Sequence, residues 1–360
     1  MIKRIAVLTG GGDCPGLNAV IRAVTRTCLA QGIEVFGFID GFKGLVENTY
    51  IKLDGHAVSG ILNRGGTILG TTNRDNPFEF RVPDGQGGTK KEDKSDQAIE
   101  NLRQLGVDAL VVIGGDGSLN IAYELNQKGF RIVGVPKTID NDLSATDVTF
   151  GFNTAVDTAT QALDRLHTTA ESHHRIMILE VMGRYAGWIA LCAGLAGGAD
   201  IILIPEVPYQ LESVAQKINQ RTNEGKKFSI VVVAEGAHPA GGEMVVQRLV
   251  DSHDPIRLGG IGNQLAEQLE SITGMESRVT VLGHLQRGGM PVTYDRLLST
   301  RYGVAAAEAL ISGQNGVMVS LQGQSITTVP LADAIGELKK VPPQGELVKV
   351  ARAIGICVGD

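Results

Sequence analysis

Short unbroken apolar runs alternate along this chain with longer stretches whose apolar residues recur every three or four positions. The runs at residues 3–9, Val35 to Ile39, Ala109 to Ile113 and Arg131 to Val135 suit strands buried on both faces of a parallel sheet. Between them the helical period predicts a first helix with Leu17, Val20, Ile21, Val24 and Cys28 on one stripe, and a short one from Ala98 to Leu105. A helix over Asn153 to Glu171, with Val156, Ala159, Leu163 and Leu166 on one face, leads into a second succession of elements. There RIMILEVMG (175–183), IILIPE (201–206), FSIVVVAEG (228–236) and SRVTVLGHLQRGG (277–289) read as strands. They alternate with a helix through Leu211, Val214 and Ile218 that closes at Gly225, and with one that starts at Asp254-Pro255 and carries Ile261, Leu265, Leu269 and Ile272. A long helix (Tyr294 to Ile311), a strand (Val317 to Leu321) and terminal helical text complete the chain. The stretch from Val82 to Gln97 is polar and glycine-rich, which predicts an exposed, mobile loop. The class is α/β, in two units.

Length agrees, because 360 residues exceed one ordinary α/β domain. No apolar run approaches the roughly eighteen residues of a membrane span, so no membrane partner is expected. The opening MIKRIAVLTGGG passes directly into a strand and a glycine turn, so no targeting segment is read. Net charge is −6 and no basic helix or tail stands out, which argues against nucleic acid. Cys14, Cys28, Cys192 and Cys357 lie far apart without C-x-x-C spacing, so neither zinc nor disulfides are indicated and a reducing cytoplasm fits. The 47 glycines collect at strand ends, a pattern that suits an enzyme cradling a ligand with its backbone.

The densest chemistry lies between Ala109 and Asp142. The first strand there ends in GGDGS, where Gly114, Gly115 and Gly117 allow close backbone approach and Asp116 is held at a helix mouth with Ser118 behind it. The second ends in PKTIDND, which places Asp140 and Asp142 past its carboxyl end, the edge where doubly wound sheets bind ligands. A carboxylate beside exposed N–H groups at a helix N-terminus can hold Mg²⁺ against a phosphate, and a second acid can accept a hydroxyl proton. Taken singly, each of these features is equally a turn or a cap; taken together on consecutive strands they point to a phosphate site. No GxGxxG or GxxxxGK[ST] occurs; the nearest approach, GGTILGTT at 65–72, lacks the lysine. Phosphoryl transfer also calls for converging cations, and Arg74, Arg175, Arg184, Arg278 and Arg287 each stand beside a strand end or glycine turn. Glu235 and His284 follow apolar strands in the same way. Any one of these is in isolation an ordinary surface ion pair or a structural residue.

LTGGGDCPGLNA, LNRGGTILG, VVIGGDGS, TIDND, EVMGRYAG and VLGHLQRGG, in this order, resemble the 6-phosphofructokinase family over most of the chain. The resemblance implies two Rossmann-like, doubly wound domains with mainly parallel sheets: residues 1–151 plus 286–336 for nucleotide and Mg²⁺, and 152–285 plus 337–360 for the sugar phosphate. It implies transfer of the ATP γ-phosphoryl group to the 1-hydroxyl of fructose 6-phosphate in the cytoplasm. Asp140 would be the base, with Thr138 and Asp142 beside it and Arg184 completing the catalytic set. Asp116 would bind Mg²⁺, while Gly12, Gly115, Gly117 and Ser118 would line the phosphates. Met182, Gly183, Arg184, Glu235, His284 and Arg287 would hold the sugar phosphate. Arg175 and Arg278 would reach it from a neighbouring subunit, which implies a homotetramer or at least a dimer.

The chain departs from the familiar bacterial pattern in several places. Arg74 sits one position beyond the family's bridging arginine, where this chain has Asn73. Residues 239–262 form an extra segment. Lys137 is typical of pyrophosphate users, whereas Gly117 is typical of ATP users, so pyrophosphate stands as the alternative donor. A nicotinamide-dependent oxidoreductase and a non-catalytic sugar-phosphate sensor are more distant readings; the first lacks GxGxxG and the second has no use for Asp140. The bacterial effector pocket is matched by Arg22, Arg26, Lys226 and, for its acid, Glu206. Gly55, His167 and Phe228 stand where cationic groups are expected and Glu224 replaces a lysine, so weak or absent ADP activation is the expectation.

Overall fold

The computed structural model describes residues 2–85, 87–249 and 256–360. In chain order its strands are β1 (Arg4–Thr9), β2 (Glu34–Phe38), β3 (Tyr50–Leu53), β4 (Phe80–Pro83), β5 (Thr89–Glu92), β6 (Ala109–Gly114), β7 (Ile132–Thr138), β8 (Phe150–Gly151), β9 (Ile176–Val181), β10 (Ile201–Leu203), β11 (Ser229–Ala234), β12 (Val246–Leu249), β13 (Ile256–Leu258), β14 (Ser277–Val281), β15 (Val317–Gln322) and β16 (Ser325–Pro330). Its helices are α1 (Leu17–Ala30), α2 (Phe42–Glu47), α3 (Ser95–Gln104), α4 (Asp116–Gln127), α5 (Phe152–His173), α6 (Trp188–Ala196), α7 (Leu211–Asn223), α8 (Ile261–Thr273), α9 (Thr293–Ile311), α10 (Leu331–Ala334) and α11 (Glu346–Ala353). The chain forms two compact units: Met1–Thr138, Leu143–Gly151 and Arg287–Leu338 in the first; Ile139–Asp142, Phe152–Gln286 and Lys339–Asp360 in the second. The strip Ile139–Asp142, read from sequence with the first unit, packs by compactness with the second.

In the first unit the main sheet runs β16-β15-β7-β6-β1-β2-β3, with β8 beside β7. Its interior pairings are parallel, and the antiparallel hairpins β2–β3 and β15–β16 close its two edges. The strands β1, β6 and β7 are fully buried apart from Arg4, as unbroken apolar runs require. Chain order departs from β1 toward β2 on one side and β6 on the other, so the topological switch lies between β1 and β6. Helix α1 buries the expected stripe and packs closely on α9, where a Cβ at Gly303 would come within 2.7 Å of the Val20 carbonyl.

The second unit's sheet, β10-β11-β9-β14, is wholly parallel. Ile176, Ile178, Ile201, Leu203, Val231 and Val233 from the sheet pack with Val214 and Ile218 of α7 and Leu265 and Leu269 of α8. Residues past α11 return to this sheet: Ile202 N–H donates to the Cys357 carbonyl at 2.9 Å and Cys357 N–H to that of Asp200 at 3.0 Å.

Three expectations are corrected. The polar stretch after Val82 is not an open loop; β4 and β5 pair antiparallel, and the Asp84 carboxylate accepts the Gly88 N–H at 2.8 Å to close the turn. The helix expected from Asp254-Pro255, which lies outside the described residues, starts only at Ile261, after strand β13. The cause is Glu180, a buried carboxylate on β9 that accepts the N–H groups of Gly260 at 3.2 Å and Gly262 at 2.8 Å and so fixes where α8 begins. The stretch after Val317–Gln322, read as helical, opens instead with β16.

Candidate active site

In the first unit two glycine turns leave the carboxyl ends of β1 and β6 on either side of the switch point. Gly10 N–H donates to the Ile113 carbonyl at 2.9 Å, which draws the turns together. There is no room in them for side chains: a Cβ at Gly10 would lie 2.5 Å from Ser118 Oγ, one at Gly114 2.3 Å from Ser118 Cβ, and one at Gly12 2.9 Å from Arg287 Nη1. The backbone and the Ser118 hydroxyl therefore form the surface of this rim, the arrangement that binds phosphates through N–H groups. The bend bearing Asn73 and Arg74 lies against the first turn, because Gly11 N–H donates to the Thr72 carbonyl at 3.1 Å and Thr71 Oγ1 to the Gly11 carbonyl at 2.6 Å. Both Asn73 and Arg74 are exposed there.

Asp116 opens α4, with Gly117 and Ser118 in the same first turn. Its Oδ2 accepts from Asn120 Nδ2 at 3.2 Å and its Oδ1 from Gly336 N–H at 3.1 Å. Both partners are neutral donors, and each carboxylate oxygen has a further lone pair, which suits a divalent ion. Among the described residues no group of three or more His, Cys, Asp or Glu could hold a metal ion.

Strand β7 is level with β6, with Gly114 opposite Pro136, so Thr138 ends β7 two residues beyond that register, beside the Asp116 turn. The Thr138 carbonyl accepts from Thr149 Oγ1 at 2.7 Å. Lys137 is buried and its Nζ donates to the Gly12 carbonyl at 2.5 Å, so the ammonium is anchored in the first glycine turn. Arg287 Nη1 reaches the same turn, 3.3 Å from the Asp13 carbonyl. Burial pushes the nearby Cys14 thiol up to about 12, which leaves it inert at neutral pH.

The strip Ile139–Asp142 follows Thr138 directly. Asn141 takes a positive φ of 52° and its side-chain oxygen accepts from Lys339 Nζ at 3.0 Å, while Lys339 N–H donates to the Asp142 carbonyl at 2.8 Å. These bonds fix the backbone that carries Asp140 and Asp142. Sequence reasoning missed Asn141 and Lys339; a left-handed asparagine between two acids was the available signal.

The second unit brings five expected residues together at the carboxyl edge of its sheet. Met182 N–H donates to Gln286 Oε1 at 2.8 Å, which ties the β9 elbow to the turn bearing exposed His284. Gly236 N–H donates to the Gly183 carbonyl at 3.2 Å, which sets Glu235 beside that elbow. Gly183 has φ 134°, and a Cβ at Gly236 would stand 1.9 Å from the Arg184 carbonyl. The elbow therefore admits only glycine at both positions, and it dictates where Arg184 starts.

Arg175 and Arg278 are not in that group. They lie at the amino ends of β9 and β14, where Arg175 Nε is 2.5 Å from one Glu276 oxygen and Arg278 pairs with the other. The two guanidinium groups, Arg175 foremost, hold the Glu276 carboxyl below the usual carboxylate range. Seven residues of extended chain from Arg175 to Met182 span roughly 23 Å, so one sheet presents its arginines at opposite ends.

Of the expected effector residues, Arg22 and Arg26 lie on α1 of the first unit and Lys226 after α7 of the second. The Glu206 carboxylate accepts from Gly187 N–H at 3.0 Å and Val341 N–H at 2.7 Å. Asp200 is paired with Arg221 at 2.6 Å. The His167 ring meets Phe228 edge-on and its Nε2 lies 2.7 Å from the Gly197 carbonyl, so this cluster is self-contained and carries little free positive charge.

Similarities to other proteins follow the same residues. The sequence pattern described as "PFK: Phosphofructokinase" matches residues 4–310. The Clostridium perfringens protein named ATP-dependent 6-phosphofructokinase 2 is 60% identical over 362 residues, covering 100% of this chain and 99% of its own. A Streptomyces coelicolor protein named pyrophosphate–fructose 6-phosphate 1-phosphotransferase is 52% identical over 343 residues, 94% of this chain and 96% of its own. The phosphofructokinase structure from Saccharomyces cerevisiae aligns with a TM-score of 0.78 at 34% identity, over 92% of this chain and 45% of the yeast chain. The chain thus spans less than half of that yeast protein but nearly all of the bacterial relatives.

Proposed function

The chain belongs to the phosphofructokinase family, and from that premise we propose that it transfers the γ-phosphoryl group of ATP to the 1-hydroxyl of fructose 6-phosphate, giving fructose 1,6-bisphosphate and ADP. The observation that carries this reading is the pair of level strands β6 and β7, which end in the Asp116 turn and in Thr138 followed by Asp140. The first unit is the nucleotide side. Its glycine turns, with Gly12, Gly115, Gly117 and Ser118, bind the phosphates of ATP, and Asn73 and Arg74 extend that surface. Asp116 holds Mg²⁺, which when bound neutralises charge on the phosphates.

Asp140 accepts the proton of the sugar's 1-hydroxyl as the oxygen attacks phosphorus, with Asp142 and Thr138 flanking it. Arg184 stabilises the charge on the transferred group. Met182, Gly183, Glu235, His284 and Arg287 bind the sugar phosphate. Arg175 and Arg278 act on the site of a second copy, since roughly 23 Å of strand separates Arg175 from Met182 in their own sheet. The working enzyme is therefore an oligomer of at least two chains, and the family likeness favours four. It acts in the cytoplasm. The chain has no helix long and apolar enough to cross a membrane among its described residues.

Pyrophosphate is a second donor to consider, because Lys137 Nζ lies in the first glycine turn and one relative at 52% identity bears a pyrophosphate name. Gly117 favours ATP, since a side chain there would crowd the nucleotide. The test is a coupled assay of fructose 6-phosphate with each donor. Turnover with ATP and little with pyrophosphate is expected; the reverse preference, or no turnover with either, would overturn the reading. ADP titrated at subsaturating fructose 6-phosphate should give weak or no activation, given the self-contained His167–Phe228 cluster.

A further inference from the structure

The reaction described above gives no part to the segment that runs beside its base. Residues 338 and 339 lie antiparallel to residues 142 and 143: Leu338 bridges Leu143, and Lys339 N–H donates to the Asp142 carbonyl at 2.8 Å. From another side the indole N–H of Trp188, the first residue of α6, donates to the Lys339 carbonyl at 2.8 Å. Both backbone polar groups of Lys339 are therefore engaged, and its side chain leaves from a fixed point.

That side chain reaches Asn141. Lys339 Nζ donates to Asn141 Oδ1 at 3.0 Å, a charge-assisted bond to a buried amide. Asn141 stands between Asp140 and Asp142, and its φ of 52° is a conformation that residues other than glycine keep only where their surroundings compensate. Without the tether Asn141 is free to relax toward negative φ, and the peptide that carries Asp140 turns with it. Lys340, the next residue, is exposed, so the tether belongs to one position and not to a general basic surface.

We propose that Lys339 is a positioning residue for the transfer step: bonded to Asn141, it keeps the Asp140 carboxylate aimed at the sugar's 1-hydroxyl. This deepens the reading of Asp140 as the base and rests on it. Lys339 itself touches none of the reacting atoms; it acts through Asn141. The residues given to the sugar phosphate and to ATP lie mainly outside the strip 139–142, so loss of the tether acts on kcat and spares KM. A base misplaced by about 1 Å costs on the order of 100-fold in rate. The last segment of the chain is thereby part of the active site.

The test compares Lys339→Met, Lys339→Arg, Asn141→Gly and the Lys339→Met/Asn141→Gly double variant with the wild type. Lys339→Met should lower kcat roughly 10- to 100-fold and leave the KM for ATP and for fructose 6-phosphate within about twofold. Lys339→Arg keeps a charged donor and should recover most of that loss, while Lys340→Met should match the wild type. Glycine adopts a positive φ without strain, so Asn141→Gly removes the acceptor alone and should equal Lys339→Met. The double variant should fall no further than either single one, since both remove the same bond. Trp188 is the chain's only tryptophan, and its emission should be unchanged in Lys339→Met, because its partner is the backbone carbonyl. A Lys339→Met kcat within about twofold of the wild type, a Lys339→Arg variant no better than Lys339→Met, losses that multiply in the double variant, or a shifted Trp188 emission would overturn the proposal. If the wild type does not phosphorylate fructose 6-phosphate, the functional reading falls, and amide hydrogen exchange over residues 139–143 still decides the tether. Exchange at least about threefold faster in Lys339→Met supports it, and unchanged exchange overturns it.

Discussion

At the carboxyl end of the second unit's sheet an arginine is placed by crowded backbone; at the amino end of the same sheet two arginines are placed by a single exposed glutamate. Arg184 leaves an elbow in which Gly183 and Gly236 leave no space for a side chain. Arg175 and Arg278 extend from strand starts and meet on Glu276, whose side chain is 46% exposed. A residue fixed by its backbone is ready to act within its own chain. A residue held by a solvent-exposed partner can exchange that partner for another anion, such as a phosphate presented by a second copy. The same amino acid is thus held in two different ways on one sheet.

The most severe test of this contrast acts at the carboxyl end. Asp140→Asn should lower kcat by at least about 10²-fold with little change in substrate binding, as expected for a lost base; near-normal kcat in steady-state assays would remove Asp140 from the mechanism. At the amino end, Arg175→Ala should instead raise the KM for fructose 6-phosphate, by roughly 10- to 150-fold for a lost charge-assisted bond of about 1.5–3 kcal/mol. Mixing unfolded Arg175→Ala and Asp140→Asn chains and refolding them together should restore turnover at low fructose 6-phosphate that neither has alone. An inactive mixture would mean that Arg175 serves its own chain.

Gly236→Ala probes the crowded elbow directly. Its Cβ would meet the Arg184 carbonyl at 1.9 Å, so the backbone must shift, at a cost of about 1–3 kcal/mol in stability. Denaturant melts should show this together with a fall in kcat/KM; an unchanged pair of values would mean that the elbow is not what positions Arg184. The smallest effect is expected from Glu276→Gln, a change of no more than about threefold in KM. The Glu276 carboxyl is depressed by Arg175 and Arg278, so its pairing is present above the ordinary glutamate range and is lost as pH falls through the depressed value. At neutral pH the pair is fully formed, and KM should be flat from pH 6 to 8 if Glu276 is its only titrating partner.

Elements buried on both faces were legible in the sequence because burial leaves an unbroken apolar text, as in β6 and β7. The edge strands were not. Thr89–Glu92 is a charged, exposed half of a hairpin, held by backbone pairing and turn closure, and its letters resemble a loop. The start of α8 was misplaced because Glu180, distant in sequence, supplies the groups that fix it. The glycine turns after β1 and β6 could be read because the crowded backbone there leaves no room for a Cβ. The surroundings of Asp200 and Glu206 could not be read, since the two acids flank one short strand and only packing separates them.

The discontinuous make-up of the two units bears on how the chain matures during synthesis. Strand β15, which lies beside β7 in the first sheet, is made only after the whole of the second sheet, and the Cys357 segment that bonds beside β10 comes later still. Emerging from the ribosome, the first unit cannot complete its sheet before all four strands of the second have been translated. A nascent chain ending near Gln286 would present β7 with an open parallel edge, a surface prone to pairing with other chains. The order of maturation is therefore set by the first unit, whose sheet begins before the second is made and closes only after it.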